Sequence, residues 1–543
     1  MEVKYKVMLL FVLVLALAVG LRALFLIRGQ FIDPVTMAAV LTMKQAIANG
    51  FVIHNDTLAG FPAHKYVFPE EGIVYLAIVP YRILGFMGLF GVMYLLKVIF
   101  TVCAATAIYL FARRMTGSQK AGLLGMLLYA ISQVGAYTEA FNRWMGDSFV
   151  PTLIIVAVLA LLYLVEMPRD KKIRTVAAGG LVAGCLVLSV LVWNGGAYAV
   201  AVFAFTCIAI VIGDRLRRKT RLFIALGIIT LVGWVVLLAS PLQGAIGLGS
   251  ISMPASLFGN DVVQFIGQFE PLAYQPALLY NSMPLYLVWI AAGFLSSVWL
   301  AFITIVKFPI EVSQVGRRAY VASAALLVFG IPFAFISPRF NSLVFMPIAI
   351  LGGCMISVLD GRYRRWLFGM LAVAVALTLL FEAYQIIYTP QYAGMSPLFH
   401  RDLEIVAMYT PQNATFMNFD GDGTAIQYWA GRNTYTDTNI ADNQSDVLAY
   451  YKFIYARAGN FTYLNEIKPD YLLIHQIPSN NTEFNTSFYG SNIQYFIEWA
   501  YNSKPRFSYD GVNFTLIYAN FSIVHLNRDI LLYKLSYANA TTQ

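Results

Sequence analysis

Charge is what this sequence has least of. Asp, Glu, Lys and Arg make up 12% of its 543 residues and hydrophobic residues 59%, where soluble domains carry about 25% charged and about 45–50% apolar. That scarcity excludes a soluble enzyme, a disordered chain and a repeat solenoid. Cysteine is nearly missing. The four present (Cys103, Cys185, Cys207 and Cys354) all fall inside apolar runs and form no CxxC pair, which argues against a disulfide framework or a zinc site. The five histidines show no metal-ligand spacing. There is no low-complexity segment and no internal repeat. The N-terminus is basic and then apolar without a small-residue cleavage site, so it reads as an uncleaved first span rather than a signal peptide.

What is there is a membrane protein. A span needs roughly 20 apolar residues, and eleven stretches qualify: 7–27, 91–112, 121–139, 149–166, 175–193, 197–213, 222–241, 283–306, 319–336, 341–359 and 366–386. Residues 1–390 hold 28 Lys+Arg against 15 Asp+Glu, and residues 391–543 hold 9 against 13. The basic excess thus belongs to the membrane part and does not indicate nucleic-acid binding. It also alternates: 20 basic residues fall on one side of the spans and six (Arg28, Lys44, Lys65, Arg82, Arg143, Arg339) on the other. The positive-inside rule then makes the N-terminus cytoplasmic and a C-terminal region of about 387–543 exterior. Nine N-x-[ST] sequons, at Asn55, Asn413, Asn443, Asn460, Asn480, Asn485, Asn513, Asn520 and Asn539, all lie on that exterior side, as a surface-exposed, glycosylated domain would have them.

The expected fold class is a polytopic α-helical membrane protein of about 11 transmembrane helices with a C-terminal extracytoplasmic mixed α/β domain. The domains are 1–386, carrying outer loops 28–90, 140–148 and 242–282, and 387–543. In the first loop, Asp33-Pro34 sets an N-cap before a proline at the first helical position. A helix lying on the membrane interface should follow to Asn49-Gly50, with Met37, Val40, Leu41 and Ile47 on one side. Residues 72–88, broken by Pro80, Tyr81 and Arg82, read as a juxtamembrane or re-entrant helix, because counting them as a span would break the charge alternation. Loop 242–282, with Gly244, Gly247, Gly249 and Pro254 and no basic residue, suits a mobile cover over substrate. In the C-terminal domain 445–458 reads as helical, and 470–475, 512–518 and 530–535 as strands.

Charges that could do chemistry gather at the outer span ends: Asp33; Glu139, Arg143 and Asp147 in the third-to-fourth connection; Glu270; and Arg339. Carboxylates there suit Mg²⁺ or Mn²⁺, which take oxygen ligands and leave positions for phosphate, and arginine suits phosphate itself. The set describes a site for a lipid-phosphate substrate rather than an ion channel. Each residue also has an ordinary reading: Asp33 and Asp147 as caps, Glu270 as a solvated loop acid, Arg143 and Arg339 as interface anchors. Arg22, Lys97 and Glu382, in or near spans, read as snorkelling anchors.

With those residues in place, the chain resembles the GT-C glycosyltransferase fold, and more closely the catalytic subunit of oligosaccharyltransferase of the archaeal AglB type, along nearly its whole length. Asp33 in Phe31-Ile32-Asp33-Pro34 is similar to that family's first-loop catalytic aspartate. Arg143 and Asp147 are similar to its second-loop arginine and metal-binding acid, although the acid or His expected two residues further on is here Phe149. Glu270 in Gln268-Phe269-Glu270-Pro271 resembles the acceptor-contacting glutamate, with Gly267 where a Ser/Thr is usual, and Arg339 resembles the pyrophosphate arginine. The WWDYG signature, which reads the sequon's Ser/Thr, has a degenerate counterpart in Asn418-Phe419-Asp420-Gly421-Asp422-Gly423-Thr424-Ala425-Ile426, followed by Ala430-Gly431-Arg432. Both tryptophans are lacking; an ungapped match puts Gly421 at the acid's position and a one-residue insertion puts Asp420 there, and the resemblance implies Asp420 and Asp422 as acceptor-binding residues beside Glu270. Apart from the resemblance, Asp420-Gly-Asp-Gly reads as a turn.

The resemblance implies an archaeal enzyme that needs no accessory subunit. A lipid-linked oligosaccharide is its donor and the Asn of an N-x-[ST] sequon on an exported polypeptide its acceptor. Asp33 and Glu270 orient the poorly nucleophilic amide. Mn²⁺ or Mg²⁺ on Asp33 and Asp147, with Arg143 and Arg339 on donor phosphate, stabilises the leaving group. The alternatives are a GT-C enzyme taking a polyprenyl-phosphate sugar to a lipid, glycan or hydroxyl, and a non-catalytic paralogue. A transporter is disfavoured, since paired midplane charges and broken repeats are lacking.

Overall fold

The computed structural model describes residues 2–24, 26, 34–52, 71–132, 139–167, 172–193, 195–213, 314–336, 341–358, 369, 397–418, 420–435, 462–475, 506–509, 511–520 and 530–537. Among these the helices are, in chain order, α1 (Glu2–Leu24), α2 (Pro34–Ala48), α3 (Glu71–Leu84), α4 (Gly88–Thr116), α5 (Gln119–Ala130), α6 (Val150–Glu166), α7 (Lys172–Val192), α8 (Gly196–Gly213), α9 (Gln314–Ile336), α10 (Asn341–Val358), α11 (Pro397–Tyr409), α12 (Asp420–Ala425) and α13 (Thr462–Ile467). The chain divides into two compact units: Met1–Arg28 with Glu70–Thr389, and Gly29–Pro69 with Pro390–Gln543.

The first unit is a helical bundle. Its helices α1 and α4 to α10 fall on eight of the eleven expected spans; 222–241, 283–306 and 366–386 lie outside the described residues. Four stretches (Tyr5–Leu24, Gly72–Thr116, Gly146–Glu166 and Lys172–Val192) are long and apolar enough to cross a membrane. They are helical because lipid offers backbone N–H and C=O groups no partner, so each span must satisfy them internally. α5 packs on α10, α4 and α1, α6 on α7, and α9 on α8 and α10. The helix is shorter than the span expected over 121–139: α5 ends at Ala130, and Glu139 is in a loop. Residues 71–84 form a 14-residue helix despite Pro80. At 1.5 Å per residue that is roughly 21 Å, short of the roughly 30 Å hydrocarbon core. A 3₁₀ turn and Gly88, at φ 72°, separate it from α4. At the far end of α4, Arg114 pairs with Glu166 of α6 and lies over the ring of Tyr163, 4.0 Å from its centroid.

Neither Arg22 nor Lys97 snorkels. Both are buried, Arg22 completely, because each has an internal partner: Glu139 for Arg22, and the aromatic rings of Phe149 and Trp144 for Lys97. Glu382 lies outside the described residues.

The second unit is built on a mixed sheet of order β2-β1-β3-β6-β5-β4. Its strands are β1 (Thr415–Met417), β2 (Asn433–Thr434), β3 (Tyr471–His475), β4 (Arg506–Tyr509), β5 (Val512–Asn520) and β6 (Ile530–Tyr537). β2, β1 and β3 run parallel, whereas β3, β6, β5 and β4 pair antiparallel. The three expected strands are β3, β5 and β6; the expected helix at 445–458 lies outside the described residues. Leu472, Ile474, Phe514, Leu531, Tyr533 and Leu535 alternate into one apolar core with Met417 and Leu464.

The first-loop helix α2 exists but is not surface-lying. Every residue from Thr36 to Met43 is buried, and α2 packs on α12 and on the π-helical turn Ile426–Ala430 that follows it. A helix with no polar face is a core element. Thr42 suits that place because its hydroxyl donates to the Ala38 carbonyl at 2.9 Å.

Candidate functional site

In the bundle, the site residues lie on the loop from Glu139 to Phe149, and three contacts hold this loop. Trp144 is fully buried and its Nε1 donates to the Ile73 carbonyl of α3 at 3.1 Å. Gly146 lies so close to the end of α7 that a Cβ there would come 2.2 Å from the Val192 carbonyl oxygen and 2.4 Å from Trp193 Cβ, so no larger residue fits. Gly72 at the start of α3 meets the same helix end, with 1.9 Å to the Leu191 oxygen. At the loop's start, the Phe141 amide donates to the Arg22 carbonyl at 3.2 Å.

From this framework Arg143 Nη2 reaches Asp147 Oδ2 at 2.7 Å. Asp147 sits in the 3₁₀ turn Gly146–Ser148 that leads into α6, and neither the turn nor the helix has a side-chain cap. Capping therefore does not account for Asp147. Its carboxylate is fully buried, and Oδ1 has no hydrogen-bond partner among the described residues. Burying an ionised oxygen without a partner is costly, and hard divalent cations are the ligands such an oxygen suits. Phe149 offers them nothing. It is buried edge-on between Phe100 and Trp144, with both ring pairs at 4.8 Å, and the Lys97 ammonium lies 4.4 Å from its centroid. Among the described residues no three His, Cys, Asp or Glu side chains converge.

Asp33, Glu270 and Arg339 lie outside the described residues, as does loop 242–282. The structure brings Arg143 and Asp147 together. It also shows a buried cluster that the sequence reading did not assemble: Arg22 and Tyr129 both donate to Glu139 Oε2, at 2.7 and 2.5 Å. The available signal was Arg22 itself, a cation inside an apolar span, which requires a counter-ion.

The second unit holds the degenerate motif. Asp420-Gly-Asp-Gly is the first turn of α12 rather than a β-turn, and Asp422 is buried. The π-helical turn after it presents Tyr428 and Trp429; such turns are frequent at functional sites. Lys44 Nζ donates to Tyr428 Oη at 2.7 Å, and the His400 ring lies 3.6 Å from that of Trp429. Gly431, at φ 62°, turns the chain so that Arg432 reaches back to α11. Arg432 donates to the carbonyls of Ala430, Ala407 and Thr410 and to Thr410 Oγ1, at 2.7, 2.7, 2.8 and 3.2 Å. Arg432 is thus a structural tie.

No family model matches the chain, and no curated protein matches it. Solved structures do. The apo oligosaccharyltransferase of Archaeoglobus fulgidus superposes with a TM-score of 0.63 at 15% identity, over 87% of this chain and 70% of that one. The same organism's AglB with an inhibitory peptide and a dolichol-phosphate gives 0.59 at 15% identity, over 87% and 69%; its complex with zinc and sulfate gives 0.56 at 15%, over 86% and 68%. ArnT from Cupriavidus metallidurans gives 0.55 at 12% identity, over 98% of both chains. At these identities the likeness is one of fold: the chain has the architecture of GT-C membrane glycosyltransferases, a helical membrane unit with a C-terminal α/β domain.

Proposed function

We propose that this protein is a membrane glycosyltransferase that moves an oligosaccharide from a dolichol-type phosphate or pyrophosphate lipid to the asparagine of N-x-[ST] sequons on exported polypeptides. The observation that carries the reading is the buried Arg143–Asp147 pair, whose Oδ1 has no partner among the described residues, at the head of a span, in a fold shared with an enzyme solved with a dolichol-phosphate and a peptide.

In this reading Asp147 and Asp33 would hold a divalent cation, and Mn²⁺ or Mg²⁺ there would supply Lewis-acid stabilisation of the phosphate leaving group. The Asp147 oxygens fit the task, one held at 2.7 Å by Arg143 and one without a partner among the described residues. Arg143 keeps that carboxylate oriented and adds positive charge where the departing donor phosphate accumulates negative charge. Arg339 binds the same phosphate. Asp33 and Glu270 accept hydrogen bonds from the acceptor amide and aim its nitrogen at the anomeric carbon, which inverts in a single in-line displacement. Asp420 and Asp422 face the acceptor's Ser/Thr, and loop 242–282 closes over the peptide. The N-terminus is cytoplasmic and residues 387–543 are outside.

Two observations favour a second reading, a polyprenyl-phosphate sugar donor with a hydroxyl acceptor: the likeness to ArnT spans 98% of each chain, and the motif lacks both tryptophans. A transfer assay decides. Purified protein receives Mn²⁺, a lipid-linked glycan extract shown competent with a known oligosaccharyltransferase, and a fluorescent Asn-x-Thr peptide, with Gln-x-Thr as control. The expected outcome is a product from the Asn peptide alone, reduced at least 100-fold by Asp147→Ala. No product from that donor pool would overturn the sequon reading in favour of the second one.

A further inference from the structure

The Arg22–Glu139–Tyr129 cluster has no part in the mechanism above, yet it places a buried ion pair inside the bundle. Arg22 is 0% exposed, Glu139 4% and Tyr129 2%. Arg22 Nε donates to Glu139 Oε2 at 2.7 Å, Tyr129 Oη donates to the same oxygen at 2.5 Å, and the guanidinium carbon lies 4.2 Å from the Tyr129 ring centroid. Arg22 Nη1 is occupied by the Ala18 carbonyl at 3.1 Å. Glu139 Oε1 and Arg22 Nη2 have no hydrogen-bond partner among the described residues.

For stability alone such a cluster is a poor investment of residues, since well-packed apolar side chains do as well or better than a buried ion pair. Its place in the chain gives it another use. Arg22 is in the last turn of α1, eleven residues before Asp33; Glu139 opens the loop that reaches Asp147 eight residues later. The side-chain pair is reinforced by the main chain, where Phe141 N donates to Arg22 O at 3.2 Å. The loop's far end is fixed independently, by Trp144 on Ile73 and by Gly146 against α7. With both ends fixed, the orientation of the Arg143–Asp147 pair follows.

We infer that Arg22, Glu139 and Tyr129 are positioning residues: a clamp that ties the end of α1 to the 139–149 loop and sets the carboxylate of Asp147 for a divalent cation. The inference rests on the metal-assisted transfer reading above. Partners one shell beyond a ligand typically change metal affinity or activity by 10- to 100-fold, and a clamp should act in that range.

The test uses the protein with three variants: Arg22→Met/Glu139→Leu, which replaces the ion pair with apolar bulk; Glu139→Gln; and Tyr129→Phe, which removes one hydroxyl and leaves the ring packing in place. Each is measured for apparent melting temperature, for Mn²⁺ affinity by calorimetry, and for kcat and KM in the peptide transfer assay. The double variant should melt within a few degrees of wild type, bind Mn²⁺ about 10- to 100-fold more weakly and lose kcat by a similar factor, with the peptide KM unchanged. Tyr129→Phe should move the same two quantities by a few fold. Unchanged Mn²⁺ affinity in the double variant, activity lost only in proportion to folded protein, or no Mn²⁺ binding by wild type would each overturn the clamp. Wild-type protein that binds Mn²⁺ but transfers nothing, with binding weakened in the double variant, would support the clamp and count against the transfer reading instead.

Discussion

Arg143→Met separates a metal-binding carboxylate from a purely structural ion pair. In wild type the guanidinium holds Asp147 Oδ2 at 2.7 Å, and both side chains are at most 5% exposed. Removing the arginine leaves a fully buried carboxylate with two oxygens, instead of one, that have no partner among the described residues. Breaking a buried pair from one side typically costs about 3–5 kcal/mol. At about 2 °C per kcal/mol for a large chain, the apparent melting temperature in detergent should fall by roughly 6–10 °C when a chelator is present. Added Mn²⁺ should restore part of it, because a ligand at 100 times its Kd stabilises by about 2.7 kcal/mol, or roughly 5 °C on the same scale. Asp147→Asn should abolish the Mn²⁺ response altogether. The measurement is a fluorescence melt of Arg143→Met and wild type across a Mn²⁺ series. If Arg143→Met melts with wild type, or if Mn²⁺ raises neither, Asp147 is not the strained, ligand-seeking carboxylate described here.

Three further outcomes are expected. Gly146→Ala should lower transfer at least tenfold while the protein still folds, because a methyl 2.2 Å from the Val192 oxygen must push the Asp147 turn off α7; unchanged kcat would refute this. Arg432→Met should destabilise the C-terminal unit by about 2–4 kcal/mol, since the part-buried carbonyl of Ala407 and the buried one of Thr410 lose their donor; hydrogen exchange at 403–410 should rise in step. The unit should also weaken in alkali. Burial, and then the hydrogen bond to Asp402, raise the Tyr518 phenol above its ordinary value, and burial with nearby Asp470 raises Tyr537. A raised folded value means the stabilisation is complete below about pH 10, the unfolded phenol's pKa, and is lost progressively as pH climbs past it. Melts of the full chain from pH 8 to 11 should show that decline, and Tyr518→Phe should flatten it.

The helical bundle was legible because a span has a crude signal: about 20 apolar residues between basic flanks, as in α6, α7 and α8. The strands at 471–475, 512–520 and 530–537 were legible from their β-branched and aromatic runs. The end of α5 at Ala130 was not, because residues 131–139 were counted in to reach the length of a span although Ser132, Gln133, Thr138 and Glu139 interrupt the apolar run, and nothing local registers that Glu139 is drawn to Arg22, 117 positions away. The sequence flagged Arg22 and Lys97 as costly ions but placed them at an interface, since periodicity carries no information about long-range partners. Asp147 and Arg143 were found because they share one short polar loop. The burial of α2 was missed for a related reason. Its apolar positions read as one face towards lipid, whereas the protein supplies partners for all of them.

That burial bears on how the molecule is made. Lys44 and Tyr428 are 384 positions apart, so at about 5–20 residues per second α2 waits roughly 20–80 s after synthesis for the segment it packs against. Throughout that interval an apolar helix stands without its cover, while the bundle helices on either side of it in sequence can already be inserted. Biogenesis of this chain therefore has a built-in vulnerable period. A nascent chain stopped before residue 390 should present α2 to chaperones or quality-control proteases, and release of that helix from them should coincide with completion of the C-terminal sheet.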